Sequence, residues 1–327
     1  MIRKTGLVCS LLIGAIVPSH AAILFSFDYS GNTPNVGFLD PANGAARQAA
    51  LLAAGTQFGA FFTQTATINM AVTSIDNAGS SVLASAGSQI APTGSGNFGL
   101  SEVVRMKALS NGATDLNGAA LDGTVNWNWG HNWSLSPTAA GVPPGSFDFF
   151  STAFHELAHA LGFASFMDQN GATPAPNEYS KFDQFIQDKN GNLAVTAAFA
   201  LNGTVFTSNN TGGPTPAGGV FFGGTNARAA NGGNAVGLFS PKPYQPGSSV
   251  SHLDDQNPAL AGLLMLAATG GGPGARTLSN IECGIFTDIG YTCAGRTAPP
   301  TGGIPEPATW SMIVTGVLGI ALVRRKR

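Results

Sequence analysis

Apolar residues dominate positions 22–29, a run with the length and composition of a strand. Positions 45–62 follow with apolar residues at helical spacing, and Ala49, Ala53, Phe58 and Phe61 are expected on the inner face. Positions 66–75 alternate, placing Ile68, Met70 and Val72 on one side of a second strand. Positions 81–88 read as a third. Positions 123–129 alternate again, with Val125, Trp127 and Trp129 on one face, and are expected at the sheet edge. A strand–helix–strand–strand lobe thus precedes a helix beginning near Phe149. Phe150, Phe154, Leu157 and Leu161 form its apolar stripe, Asp148 or Ser151 can cap it, and Gly162 ends it. Beyond it, Gly, Asn, Thr and Pro crowd positions 207–234 and 269–274, which read as surface loops. No fixed-period repeat is present, which argues against a solenoid or propeller. The pattern predicts an α+β fold with a mixed-sheet lobe, a central helix and a loop-rich C-terminal lobe.

The two ends break this pattern. Arg3 and Lys4 precede a short apolar run at 7–17, and Ser19-His20-Ala21-Ala22 supplies small residues where a signal peptidase reads. The run is shorter than the about 20 apolar residues that span a bilayer. Residues 1–22 are therefore expected to be a cleaved secretory signal rather than a buried N-terminal helix. Cys9 does not follow the apolar run, which argues against a lipoprotein anchor. At the far end, Pro305-Glu306-Pro307 leads into an apolar stretch at 308–323 and then Arg324-Arg325-Lys326-Arg327. An apolar segment backed by a basic cluster stops in a membrane, basic end in the cytoplasm. These three parts in this order resemble the PEP-CTERM sorting signal of Gram-negative bacteria that make extracellular polysaccharide. The resemblance implies transient membrane anchoring, cutting by an exosortase near the Pro-Glu-Pro, and release to the cell surface or matrix. The alternative is a plain C-terminal anchor. With 299–304 as a linker and 305–327 as the sorting signal, residues 23–298 remain as the working domain.

Composition narrows what that domain can bind. Only 10% of the chain is charged, and 44 residues are Gly. Six of the 15 Lys and Arg and one of the 17 acids, Glu306, lie in the two terminal signals, which leaves nine bases against 16 acids in the rest, a net charge near −7. Such a body has no basic patch for nucleic acid or anionic lipid. With Cys9 removed, Cys283 and Cys293 are an even pair suited to an oxidising compartment, and a disulfide closing the short loop between them is expected.

The chemistry concentrates at His155-Glu156-Leu157-Ala158-His159, a His-Glu-x-x-His motif on the predicted central helix. Residues four apart share a helix face, so two imidazoles can reach one ion at about 2.0–2.1 Å. Glu156 projects beside them, where it can hold a water without being a ligand. The alternative is an amphipathic helix with two core histidines. A catalytic zinc needs a third protein ligand and an open fourth position.

Three residues compete for the third place. Ser165 stands three beyond Gly162, where the short metzincin motif carries His or Asp, and is a poor zinc ligand. Glu178, preceded by Asn177, lies at gluzincin spacing, but Phe182 holds the place of an expected Asp, displaced to Asp183. Pro174 and Pro176 also oppose a helix that would carry Glu178 back to the metal. His252 follows the small residues Gly247-Ser248-Ser249-Val250-Ser251, and Leu263-Leu264-Met265 comes after it. The motif helix, the Gly162 turn, His252, the Met265 segment and Asp288-Ile289-Gly290-Tyr291 resemble the leishmanolysin-like metzincins, over about residues 147–291. In that family a large insertion separates the Gly turn from the third His. The resemblance implies zinc held by His155, His159 and His252, Glu156 as general base, and Met265 in a Met-turn below the metal. Glu178 stays open as the rival ligand.

The remaining groups carry less. His131, in Trp129-Gly130-His131-Asn132-Trp133, reads as a surface-loop histidine, with a cleft-lining place as the alternative. The carboxylates at 168–171 and 183–191 lack the full spacing of a Ca2+ loop and read as solvated turns. Together the sequence predicts a secreted zinc endopeptidase acting on protein or peptide, with signal peptidase and exosortase as partners during export. The strand at 123–129 is expected to pair with an extended substrate. With no cysteine in the N-terminal part of the body, a cysteine-switch propeptide is excluded. The alternative from another class is a non-catalytic, zinc-braced matrix or surface protein. A structural site of that kind closes with a fourth protein ligand and has no use for Glu156.

Overall fold

A computed structural model of the chain describes residues 22–212 and 219–294. All but the last residue of the expected secretory signal, the linker and the sorting signal lie outside the described residues. The fold is α+β. The first part runs β1 (Leu24–Asp28), α1 (Gly44–Gly59), β2 (Thr67–Ile75), β3 (Ala84–Ser88), β4 (Asn97–Phe98), α2 (Val103–Leu109) and β5 (Gly123–Asn128). Then come β6 (Trp133–Ser134), β7 (Phe147–Asp148), α3 (Phe149–Ala160), β8 (Glu178–Tyr179) and β9 (Ile186–Gln187). The last part holds α4 (Gly203–Asn209), β10 (Phe221–Phe222), α5 (Thr225–Ala230), β11 (Val236–Gly237) and α6 (Asn280–Asp288).

The main sheet has the order β1-β2-β5-β3. β1, β2 and β5 are parallel, and β3 runs antiparallel to β5. Ile68, Met70 and Val72 on β2 and Val125 and Trp127 on β5 are buried, as their alternation predicts. The position of β5 differs from expectation: it lies inside the sheet, paired on both sides, and the small-residue strand β3 forms the edge. Alternation reports which face is buried; it is silent about neighbours within the sheet plane.

α1 corrects the sequence reading in its rotation. It ends at Gly59, and its buried face is Ala50, Leu51, Ala54 and Phe58, with Ala49 exposed. Alanines on every side give the pattern little contrast, so Leu51 and Phe58, two turns apart, set the face. α1 packs on α3 through Phe58 and Phe154, whose rings lie 5.6 Å apart, and Trp127 of the sheet meets Phe149 at 4.3 Å. Burial of each such side chain stabilises the fold by about 1.5–3 kcal/mol.

The Gly- and Asn-rich stretch at 207–234 is not simply loop: it contains the end of α4, β10 and α5. Phe222 and Val236 from this stretch and β11 bury against Ile186 in a three-stranded sheet of β9, β10 and β11. Two adjacent phenylalanines outweigh the glycines around them. Cys283 and Cys293 are disulfide-bonded, but most of the chain between them is α6 rather than loop. Among the described residues, no helix is long and apolar enough to cross a membrane.

Candidate metal centre

α3 is fixed at both ends. Its N-cap is Asp148, whose carboxylate accepts from the Ser151 amide and from Arg276 Nη2 at 2.7 Å. At the other end Phe163 N donates to the Ala158 carbonyl and Gly162 N to that of His159, a Schellman stop. Gly162 has φ +102°, and a β-carbon there would lie 3.0 Å from the Glu102 carboxylate, so glycine is required. This stop delivers the Phe163 carbonyl to His159 Nδ1 at 2.7 Å.

The other two histidines are held in the same way. His155 Nδ1 lies 2.8 Å from the Leu264 carbonyl, and His252 Nδ1 lies 2.8 Å from the Ser248 carbonyl. A carbonyl only accepts, so each Nδ1 carries the proton and each Nε2 presents a lone pair. These three Nε2 atoms face one another: 3.0 Å from His155 to His159, 3.0 Å from His155 to His252, and 3.1 Å from His159 to His252. Three acceptors cannot hydrogen-bond each other; a cation between them turns repulsion into coordination. A triangle of this size lets one ion lie about 2.0–2.1 Å from every nitrogen. The three histidines are thus close enough to bind a metal ion.

Electrostatics agree with neutral ligands. Burial holds His155 below the usual imidazole range. Burial, with His252 and His155 alongside, holds His159 far lower. Burial and the nearby His155 push His252 down to about 3. The neutral imidazole is the form that binds metal.

Glu156, next to His155 on α3, is buried, and burial pushes its carboxyl up to about 8 against a hydrogen bond from the Ala86 backbone. The register explains that bond. Gln89 N donates to the Asp122 carbonyl and Asn128 N to that of Leu83, so odd-numbered positions of this strand bond to β5. Ala84, Ala86 and Ser88 therefore turn their backbone groups away from β5. The free edge of the sheet runs beside Glu156.

The other candidates lie elsewhere. Glu178 is buried on β8, and its carboxylate accepts from Thr93 N, Gly94 N and Asn97 Nδ2 at 2.8–3.2 Å. It braces the loop before β4 and does not join the histidines. Ser165 Oγ accepts from Met167 N, and Ser165 N donates to Ser251 Oγ. Met265 is fully buried; its N–H donates to Glu282 Oε1 at 2.8 Å, and its carbonyl accepts from Leu253 N at 2.8 Å. His131 meets Asn128 Nδ2 at 3.1 Å and the Phe147 ring edge-on, apart from the three histidines. Asp168 and Asp188 accept backbone N–H groups of their own turns.

Sequence reasoning missed the carbonyls of Phe163, Ser248 and Leu264, which no side-chain pattern announces. It also missed Glu282, although the spacing in Ser279-Asn280-Ile281-Glu282 is the signature of a capping box, and that box is formed. Comparison with models of protein families, with curated proteins and with solved structures gives no match for this chain.

Proposed function

We propose that this chain is a secreted zinc-dependent endopeptidase of the metzincin type. The observation that carries the reading is the convergence of three lone-pair nitrogens on one point, with a buried carboxylate next to one of them on the same helix. The donor set favours zinc among divalent ions: all-imidazole coordination suits it, and the triangle leaves a side open. Among the described residues no fourth His, Cys, Asp or Glu joins the cluster, which supports a catalytic over a closed structural site. When bound, zinc supplies a Lewis acid that brings the pKa of water toward 7 and polarises a carbonyl. Glu156 takes the water proton and returns it to the leaving amine. A nearby dication lowers the Glu156 pKa from its buried value, which keeps the carboxylate available as a base. The outward backbone groups of Ala84 and Ser88, with the Ala86 carbonyl, pair with an extended peptide, which gives main-chain binding with little sequence selectivity. Export by the N-terminal signal and sorting through the PEP-CTERM segment belong to the same proposal.

The test is Glu156→Gln in the secreted protein. Metal content and melting temperature should match the wild type, while casein hydrolysis falls by about 10²–10⁴, because an amide does not accept the proton. Wild-type turnover in this variant overturns the mechanism.

A further inference from the structure

We infer that Glu282 is a positioning residue of the metal centre: its carboxylate fixes the backbone turn that orients His155 and ties down the segment carrying His252. The inference rests on the metal-site reading above and extends it to a residue on another helix.

Glu282 lies in the first turn of α6 with none of its side chain exposed. Oε1 accepts from Met265 N at 2.8 Å, Oε2 accepts from Ser279 N at 2.8 Å, and the Leu264 amide also donates to the carboxylate. The Met265 amide on this anion fixes the Leu264–Met265 peptide plane, and the Leu264 amide beside it fixes the plane before. The first of these planes carries the Leu264 carbonyl, and the Met265 carbonyl follows in the next peptide. The Leu264 carbonyl receives His155 Nδ1 at 2.8 Å, and the Met265 carbonyl receives the amide of Leu253, the residue after His252. One buried carboxylate thus stands one peptide away from the supports of two of the three ligands.

Helix capping does not account for this placement. The capping box uses Oε2 and the Ser279 hydroxyl, whereas Oε1 is directed at the turn. Gln serves a capping box as well as Glu does. At this position, however, Gln turns an N–H2 group toward one of the converging amides, donor against donor. Glu282→Gln therefore separates the two roles.

The experiment replaces the native metal with Co2+ in the purified secreted protein and measures its affinity by chelator competition, together with its visible spectrum. Glu282→Gln should weaken Co2+ binding roughly 10–100-fold, the usual effect of losing a group that orients a ligand, and shift the visible bands. Ser279→Ala removes the cap hydroxyl but leaves the bonds to the turn. It should lower the melting temperature and leave both affinity and spectrum unchanged. Wild-type affinity and spectrum in Glu282→Gln overturn the inference, and so do equal losses in Ser279→Ala, which would make helix stability the whole cause. Should Glu282→Gln not fold, amide exchange in the wild-type protein decides: stripping the metal should speed exchange at Leu264 and Met265, and unchanged rates there overturn the inference. A wild-type protein that binds no Co2+ overturns the metal-site reading itself, and this inference with it.

Discussion

His252 and Glu178 show why a residue's type says less than the groups around it. Both sit at plausible ligand positions in the sequence, and both are buried. Glu178 is satisfied by two amides and an asparagine, whereas His252 has its Nδ1 engaged and its Nε2 directed at two other lone pairs. His252→Ala should therefore weaken metal binding by more than the roughly 100-fold that losing a supporting partner costs. Glu178→Ala should leave metal content intact while lowering stability, since it leaves buried donors unpaired. Equilibrium dialysis of both variants reads the difference, and loss of metal from Glu178→Ala alone would reverse the assignment. Asp183 supplies a pH-dependent case. It is fully buried, its Oδ2 accepts from Phe166 N and Ser180 N, and burial pushes its carboxyl up to about 6 from 3.8. The folded state therefore holds this proton more tightly than the unfolded chain. Its stabilising share is complete below about pH 4 and is lost as pH rises to about 6. Asp183→Asn keeps the acceptor and removes the titration. Its stability relative to wild type should rise by roughly 3 kcal/mol between pH 4 and pH 7. Parallel denaturation curves across that range would refute it.

At the scale of elements, legibility followed contrast in the sequence. α3 was readable throughout: its stripe of Phe150, Phe154, Leu157 and Leu161 is buried, Asp148 caps it and Gly162 ends it. α1, rich in alanine, was readable as a helix but not in its rotation. β3 was the least informative strand, because Ala, Ser and Gly carry no alternation. That strand is the sheet edge, and its order in the sheet depends on long-range pairing that local pattern does not encode. Its outward amides suggest a backbone test. Ala86→Pro removes the N–H that meets Glu156, yet breaks no bond to β5, because that N–H points the other way. The melting temperature should stay near that of the wild type, while casein hydrolysis drops at least tenfold through loss of the positioned base. A variant with full activity would detach Ala86 from the function of Glu156.

For the whole molecule, an ion held by the three histidines would be a cross-link. His155 and His252 are 97 positions apart in the chain, and their ring nitrogens meet at one point. A covalent bridge closing a loop of about that length removes on the order of 4–5 kcal/mol of unfolded-chain entropy, and a tightly held ion spans the same distance. A bound metal would then act as a clasp on the long segment between α3 and His252. Removing it frees that loop from one of its two ends and leaves three mutually repelling nitrogens where the clasp had been. With a chelator present, trypsin or thermolysin-free protease mixtures should nick the chain between 165 and 250 much faster than in saturating zinc; equal cleavage rates would show that the insertion is held without the ion. If the chain is the secreted zinc endopeptidase proposed above, a molecule that sheds its metal becomes food for its neighbours, and its lifetime outside the cell is set by the free zinc around it.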